Sequence, residues 1–243
     1  MVDTGRDRSP ERARQDYVKA IFQLGLSTPV RGAALARRLG VTRASVSKLV
    51  RSLQREGLVR PVSASDALEL TAGGKRLAVN MLRRHRLVET FLHRMLGVPL
   101  HRLHADAERI EHAVSDDVAR RLARFLNNPA NDPHGDPIPD RAGRVRTPID
   151  HPLQASAPGD IVRVSRIDDR VPSSVRVLTR AGVLPGVVAR VGAASAAGDV
   201  QLLCDRRRVR LTSAVASAVR VTGESASAAR RTRVKAAPAR SRR

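Results

Sequence analysis

Aromatic side chains are scarce in this chain: Phe, Tyr and Trp make up 2% of it, and Trp is absent. Leu, Val and Ala must therefore fill the interior. A single cysteine, Cys204, excludes an internal disulfide and a multi-cysteine zinc site, and it suits a reducing compartment. Long apolar runs are missing too. The longest stretch without Lys, Arg, Asp or Glu is the eleven residues from Ala20 to Val30, interrupted by Gly and Pro. That is too short for a membrane-spanning helix, and nothing near the start reads as a signal-peptide core. A cytoplasmic location is the expectation. Catalytic signatures are also lacking. There is no H-E-x-x-H, no G-x-S-x-G elbow, no Walker loop and no Rossmann glycine pattern.

What the chain has in excess is positive charge. Across 243 residues, 45 Lys and Arg face 23 Asp and Glu, a net +22. Such a balance favours a polyanion as partner, most simply nucleic acid. The charge is unevenly spread. Residues 223–243 hold seven bases and one acid with one large apolar residue, Val234, and read as a disordered basic tail. Residues 1–78 carry 15 bases and seven acids, whereas residues 79–147 are nearly balanced at 12 and nine and contain six of the seven histidines. A basic N-terminal part thus precedes a middle rich in acids and imidazoles.

The N-terminal part has the pattern of a winged helix-turn-helix. Tyr17, Ile21 and Leu24 mark one amphipathic helix over 16–24, and Arg31 to Leu39 a second. Gly40-Val41-Thr42 supplies a turn and an N-cap. The next helix, Arg43 to Glu56, puts Val46, Leu49, Val50 and Leu53 on one stripe. Thr42, Arg43, Ser45, Ser47, Lys48 and Arg51 occupy its start and open faces, where they could reach base edges or phosphates. Two strands at 58–62 and 67–70, joined through Ser63-Ala64-Ser65-Asp66, would form the wing.

In the middle part, Thr71 caps a long helix to Met95 that carries His85 and Glu89 four residues apart on one face. After Gly97-Val98-Pro99, a helix through HRLHADAERIEHAV sets His104, Glu108, Glu111 and His112 on one stripe, and Ser115 caps a further helix to Leu126. Two imidazoles and two carboxylates on one face invite a metal, and the second helix supplies the convergence that chelation needs. Oxygen-rich ligation with some imidazole suits Mn(II) or Fe(II), with Zn(II) chemically possible. A salt-bridged surface helix is the bland alternative, and a metallohydrolase the catalytic one. The latter is weakened because E-x-x-E-H at 108–112 lacks the first histidine of an inverted zincin.

A Pro/Asn/Asp-rich connector over 127–156 follows, and the pattern then turns to alternation. Candidate strands lie at 161–164, 175–178, 187–191, 200–203 and 209–211, with Pro-Gly turns before the first and third. Five short strands suggest a small β-barrel. Cys204, at a strand end, reads as buried and inert.

This order of parts resembles the diphtheria toxin repressor family of metal-dependent repressors over residues 11–222. The most specific stretches are RRHRLVETFL at 83–92, HADAERIEHAVSDDVARRL at 104–122 and HGDPIPD at 134–140, and LTRAGVLPGVVARV in the last part resembles the FeoA-like domain of many members. The resemblance implies a fold that is mainly α with a small β domain. Its parts would be a flexible start (1–10), a winged helix-turn-helix (11–75) and a helical metal-binding and dimerisation domain (76–147). A linker (148–156), a FeoA-like β-barrel (157–222) and the tail (223–243) would complete it. It also implies a non-enzymatic, homodimeric repressor of metal-uptake genes that binds operator DNA, with no membrane or small organic substrate. By the same resemblance the metal ligands are Asp16, Glu108, Glu111 and His112, with His85, Glu89 and His104 as the ancillary set. Oxygen donors at 16 and 108 point to the manganese type, with Mn(II) as corepressor and Fe(II) as the alternative. Three features depart from the family pattern. Lys19 stands where manganese members have a carboxylate one turn after the Asp, the barrel's ligand positions read Val171 and Ser174, and the wing carries Asp66 at its tip.

Overall fold

The computed structural model describes residues 9–26, 28–62, 66–146, 148–205 and 207–224. The basic tail beyond Glu224 and the wing connection Ser63–Ser65 lie outside them. The chain divides into two compact units, residues 1–88, 107–128 and 138–146 in one, and residues 89–106, 129–137 and 147–243 in the other.

The first unit opens with α1 (Pro10–Gly25), six residues earlier than the hydrophobic pattern alone indicates. Ser9 caps it by accepting from the Arg12 N–H, and Pro10 at the first helical position costs no hydrogen bond. A two-residue strand β1 (Val30–Arg31) leads into α2 (Gly32–Leu39), which ends on Gly40 in the left-handed conformation at φ 65°. Thr42 caps α3 (Arg43–Arg55) by accepting from the Ser45 N–H at 3.1 Å. The wing follows as β2 (Val59–Pro61) and β3 (Ala67–Leu70), with β1 as a third strand in the order β1-β3-β2. All three pair antiparallel. Tyr17, Val18 and Ile21 of α1, Leu35 of α2, Val46, Val50 and Leu53 of α3, and Val59 and Leu70 of the wing form one buried cluster. The long helix α4 (Ala72–Leu96) starts where Gly74 lies against the Leu58 carbonyl. A Cβ there would stand 2.1 Å from that oxygen, so only glycine fits.

The helix α5 (Leu100–Ile110) stops before the last two residues of the expected stripe, Glu111 and His112. Glu111–Ala113 tighten into a 3-10 turn, and α6 (Asp116–Phe125) starts afresh with Ser115 as its cap. No helix among the described residues is long and apolar enough to cross a membrane.

The second unit holds a six-stranded sheet. Its strands are β4 (His151–Pro152), β5 (Ile161–Ile167), β6 (Val188–Ala194), β7 (Val200–Cys204), β8 (Arg207–Leu211) and β9 (Val219–Gly223). Two helices accompany them, α7 (Pro172–Ala181) and the short α8 (Ser213–Ala216). The strand order is β4-β9-β5-β6-β7-β8, and all pairings are antiparallel. The expected β-barrel is therefore incorrect: the sheet is open, and the edge strands β4 and β8 each pair with one neighbour only among the described residues. Closure needs two edges with free ladder groups. Here β4 is two residues long and ends in Pro152, which has no N–H to donate, while β8 carries Arg207, Arg208 and Arg210. The expected strand at 175–178 is also corrected, since it lies within α7. Pro172 opens that helix, Val175 and Leu178 bury one face at helical spacing, and Gly182 ends it at φ 71°. Cys204 is half-buried, and burial pushes its thiol pKa up, in keeping with an unreactive group.

Candidate metal centre and DNA-binding face

In the first unit, α1 presents Gln15, Asp16 and Lys19, α4 presents His85, α5 presents Glu108, and the 3-10 turn presents Glu111 and His112. The turn is what aims the last two. Ending the α-helix at Ile110 changes the pitch, and Val114 closes the turn by donating its N–H to the Glu111 carbonyl.

Two overlapping groups of ligand-type atoms result, each gathered within 4.8 Å: Asp16, Glu111 and His112 in one, His85, Glu108 and Glu111 in the other. In the first group, His112 Nε2 lies 3.1 Å from Asp16 Oδ1 and 3.7 Å from Glu111 Oε1. Its other nitrogen, Nδ1, donates to Gln15 Oε1 at 2.7 Å. The orientation of Gln15 is set by its own amide, which donates to Glu11 Oε1 at 2.7 Å. With the Nδ1 proton engaged, a neutral imidazole keeps its Nε2 lone pair toward the two carboxylates, the arrangement of a metal-binding histidine with an outer acceptor. These donors fit a divalent first-row ion. The sequence reading missed Gln15; its only local signal is a position next to Asp16.

The second group already contains a cation. Lys19 Nζ donates to Glu108 Oε1 at 2.6 Å and to Glu111 Oε1 at 2.5 Å, while His85 Nδ1 donates to Glu111 Oε2 at 2.5 Å. Lys19 is 6% exposed and Glu111 fully buried. Burial by itself would lower the lysine pKa, but Glu111 and Glu108 outweigh it and hold the ammonium above its ordinary range. Burial likewise opposes ionisation of Glu111, and the hydrogen bond and charge of His85 together with Lys19 overcome it, holding the carboxyl below its ordinary range.

In the second unit, Glu89, Asp132 and His134 are buried with ligand atoms within 4.8 Å of one another, and Glu89 is equally near His104 and Asp169. His134 Nε2 donates to the Leu100 carbonyl at 3.1 Å, which leaves Nδ1 3.8 Å from Glu89 Oε1. Asp132 Oδ1 accepts from the N–H groups of His134 and Asp136. Gly135 makes this turn possible at φ 95°, its Cα so close to the Ser165 carbonyl that a Cβ would stand 2.1 Å away. His104 Nδ1 donates to Asp169 Oδ2 at 2.9 Å. Asp132 and His134 sit in or beside the quoted HGDPIPD stretch, yet nothing local marks them as neighbours of Glu89. Val171 is the N-cap of α7 and Ser174 lies within that helix.

On α3, Thr42, Arg43, Ser45, Ser47, Lys48 and Arg51 are all exposed, and Val46, Val50 and Leu53 are buried beneath them. Lys48 and Arg51, with Gln54 and Arg55, line a shallow concavity. A rigid helix with an apolar back and a basic, hydroxyl-rich front can enter a major groove.

A winged helix-turn-helix linked to a buried acid–imidazole centre defines a DNA-binding regulator governed by a cation. Residues 11–65 match the DNA-binding domain and residues 71–140 the metal-binding and dimerisation domain of the iron dependent repressors. Residues 151–223 match the FeoA domain. The iron-dependent repressor IdeR of Mycobacterium tuberculosis is 35% identical over 221 residues, spanning 84% of this chain and 94% of that one. The diphtheria toxin repressor of Corynebacterium glutamicum is 35% identical over 217 residues, spanning 84% and 92%. Among solved structures, a manganese-dependent transcriptional repressor in complex with manganese has a TM-score of 0.81 at 39% identity, covering 87% of this chain and all of that one. The IdeR of T. acidophilum has a TM-score of 0.71 at 29% identity, covering 86% and 97%. The chain belongs to the diphtheria toxin repressor and IdeR family: it is a metal-dependent, DNA-binding transcriptional repressor and not an enzyme.

Proposed function

We propose that this chain is a homodimeric repressor of metal-uptake genes, with Fe(II) as its corepressor. Residues 11–75 read operator DNA through the front of α3, and residues 76–147 carry dimerisation and most of the metal ligands. The convergence of Asp16 with Glu111 and His112 carries the reading. The names of its relatives over most of its length, iron-dependent repressor and diphtheria toxin repressor, support iron. The expectation of manganese rested on oxygen donors at Asp16 and Glu108, and Glu108 is engaged by Lys19.

A bound ion would supply positive charge shared among Asp16, Glu111 and His112. Asp16 stands on α1, whose other face lies in the core with α2 and α3. Glu111 and His112 stand on the turn after α5. Drawing Asp16 toward that turn favours one placement of α1, and with it of the recognition helix. Paired recognition helices must match half-sites about 34–36 Å apart or a multiple of that. The ion shifts this equilibrium only by its differential affinity for the two placements. Gln15 serves by holding the His112 tautomer.

Operator binding with EDTA, and then with Fe(II) under anaerobic conditions, Mn(II) and Zn(II) at matched free concentration, tests the reading. Activation is expected to be strongest with Fe(II) and to be lost in Asp16→Ala and His112→Ala. Binding indifferent to chelator and to both substitutions would overturn it. Mn(II) is the second reading, favoured by the oxygen and imidazole donors and by likeness to a repressor solved with manganese. Strongest activation by Mn(II) would select it.

A further inference from the structure

We propose that the Lys19 ammonium is a built-in cation occupying one of the two overlapping cation positions of the α1–α4–α5 cluster, so that this cluster takes one divalent ion and not two. The inference rests on the metal reading above and deepens it.

The two ligand groups share Glu111 and are otherwise distinct. Lys19 Nζ sits in one of them, within hydrogen-bond distance of both its carboxylates, and those contacts use Glu108 Oε1 and Glu111 Oε1. The remaining Glu111 oxygen accepts from His85. That group is thus already assembled around a positive charge. The other group, centred on His112 Nε2, has no lysine or arginine among its three members, and it shares Glu111 Oε1 with the ammonium, so an ion there would sit beside Lys19 on the Asp16–His112 side.

Charge balance agrees with this division. Asp16, Glu108 and Glu111 bring three negative charges and Lys19 returns one, before any charge on His85 is counted. At most two negative charges remain, which one divalent ion neutralises. A second divalent ion in the Lys19 position would meet a buried ammonium at van der Waals range, where like charges are least screened. The lysine also ties α1 to α5 and the 3-10 turn before any ion binds. Part of the clamp is therefore permanent, and the exchangeable ion completes it from the Asp16–His112 side.

The test uses the full chain with Mn(II) as a spectroscopic probe. Ions per chain are counted by equilibrium dialysis and elemental analysis, and electron paramagnetic resonance distinguishes an isolated ion from an exchange-coupled pair. Wild type should show only isolated Mn(II), and Lys19→Glu should gain one ion per chain together with the coupled signal. Lys19→Met, which removes the charge and adds no ligand, should lower the melting temperature of the metal-free protein. A coupled pair in wild type would overturn the proposal and leave the metal reading intact. So would a Lys19→Glu variant that folds but gains no ion. If Asp16→Ala and His112→Ala bind as many ions as wild type, the metal reading itself fails. The wild-type spectrum decides the matter even if Lys19→Glu does not fold.

Discussion

Two ionic clusters in this protein balance their charges differently. In the first unit, the carboxylates of Glu108 and Glu111 share one ammonium, with Asp16 and two imidazoles close by. In the second, one carboxylate, Asp150, is shared by two guanidinium groups: Arg166 Nε lies 2.7 Å from Oδ2 and Arg220 Nε 2.5 Å from Oδ1. Ser165 Oγ donates to Asp150 as well, and Arg220 reaches its carbonyl. The acid-rich cluster has more carboxylates than its one lysine matches, with an imidazole nitrogen facing two of them, a donor set suited to a cation. The second cluster is balanced, because Arg166 also reaches Asp136 Oδ1 at 3.1 Å, and it clips β5 to β9. An excess of acids over bases marks the first cluster as the candidate for an exchangeable ion, whereas the balanced second cluster joins strands.

Three substitutions would break or sharpen that contrast. The largest effect is expected from Glu111→Ala, which leaves Lys19 buried with a single carboxylate partner. Loss of one member of a buried pair costs about 3–5 kcal/mol, and the metal-dependent gain in stability should vanish with it. Chemical denaturation with and without metal measures both.

Asp150→Asn comes next. Its arginines are 28% and 36% exposed on their side chains, so solvent screening reduces the loss. Charged hydrogen bonds of this kind suggest about 1–3 kcal/mol, with the metal response unchanged. Burial opposes ionisation of Asp150, but hydrogen bonds from Arg166, Arg220 and Ser165 overcome it and hold the carboxyl below its ordinary range. Its contribution is therefore fully present above the unfolded carboxylate value of about 4 and is lost as pH falls through the lower folded value. Denaturation midpoints of wild type and Asp150→Asn should converge on acidification below about pH 4. A constant gap would show that the pair is not ionic in effect.

The smallest effect belongs to Thr42→Ala, which removes the N-cap of α3 and should cost about 1 kcal/mol. It touches neither cluster, so metal stoichiometry should stay the same while operator affinity falls. A change in stoichiometry would mean that the recognition helix and the cluster are coupled through more than α1.

The helix-turn-helix is legible in the sequence because its signals are local. The stripe of Val46, Val50 and Leu53, the cap at Thr42 and the left-handed Gly40 all act within a few residues. The segment at 175–178 misleads for the same reason. Val175 and Leu178 have helical spacing, Val175 and Val177 the spacing of a strand, and so short a run cannot separate the two. Pro172 and Gly182, placed as helix start and stop, decide it. Openness of the sheet depends on whether its first and last strands meet, which no local pattern encodes. Glu111 and His112 stand out as an adjacent Glu-His pair, whereas Gln15, Asp132, His134 and Asp169 gain meaning only from neighbours distant in sequence.

By itself the sequence determined the sign of the partner's charge, the helix-turn-helix and the residue types able to hold a metal. These follow from composition, helical period and donor chemistry, which need no knowledge of distant contacts. Tertiary structure alone decided that Lys19, 89 and 92 residues away from Glu108 and Glu111, would be their cation. Coulomb attraction acts between neighbours in space, and only the folded chain chooses those neighbours.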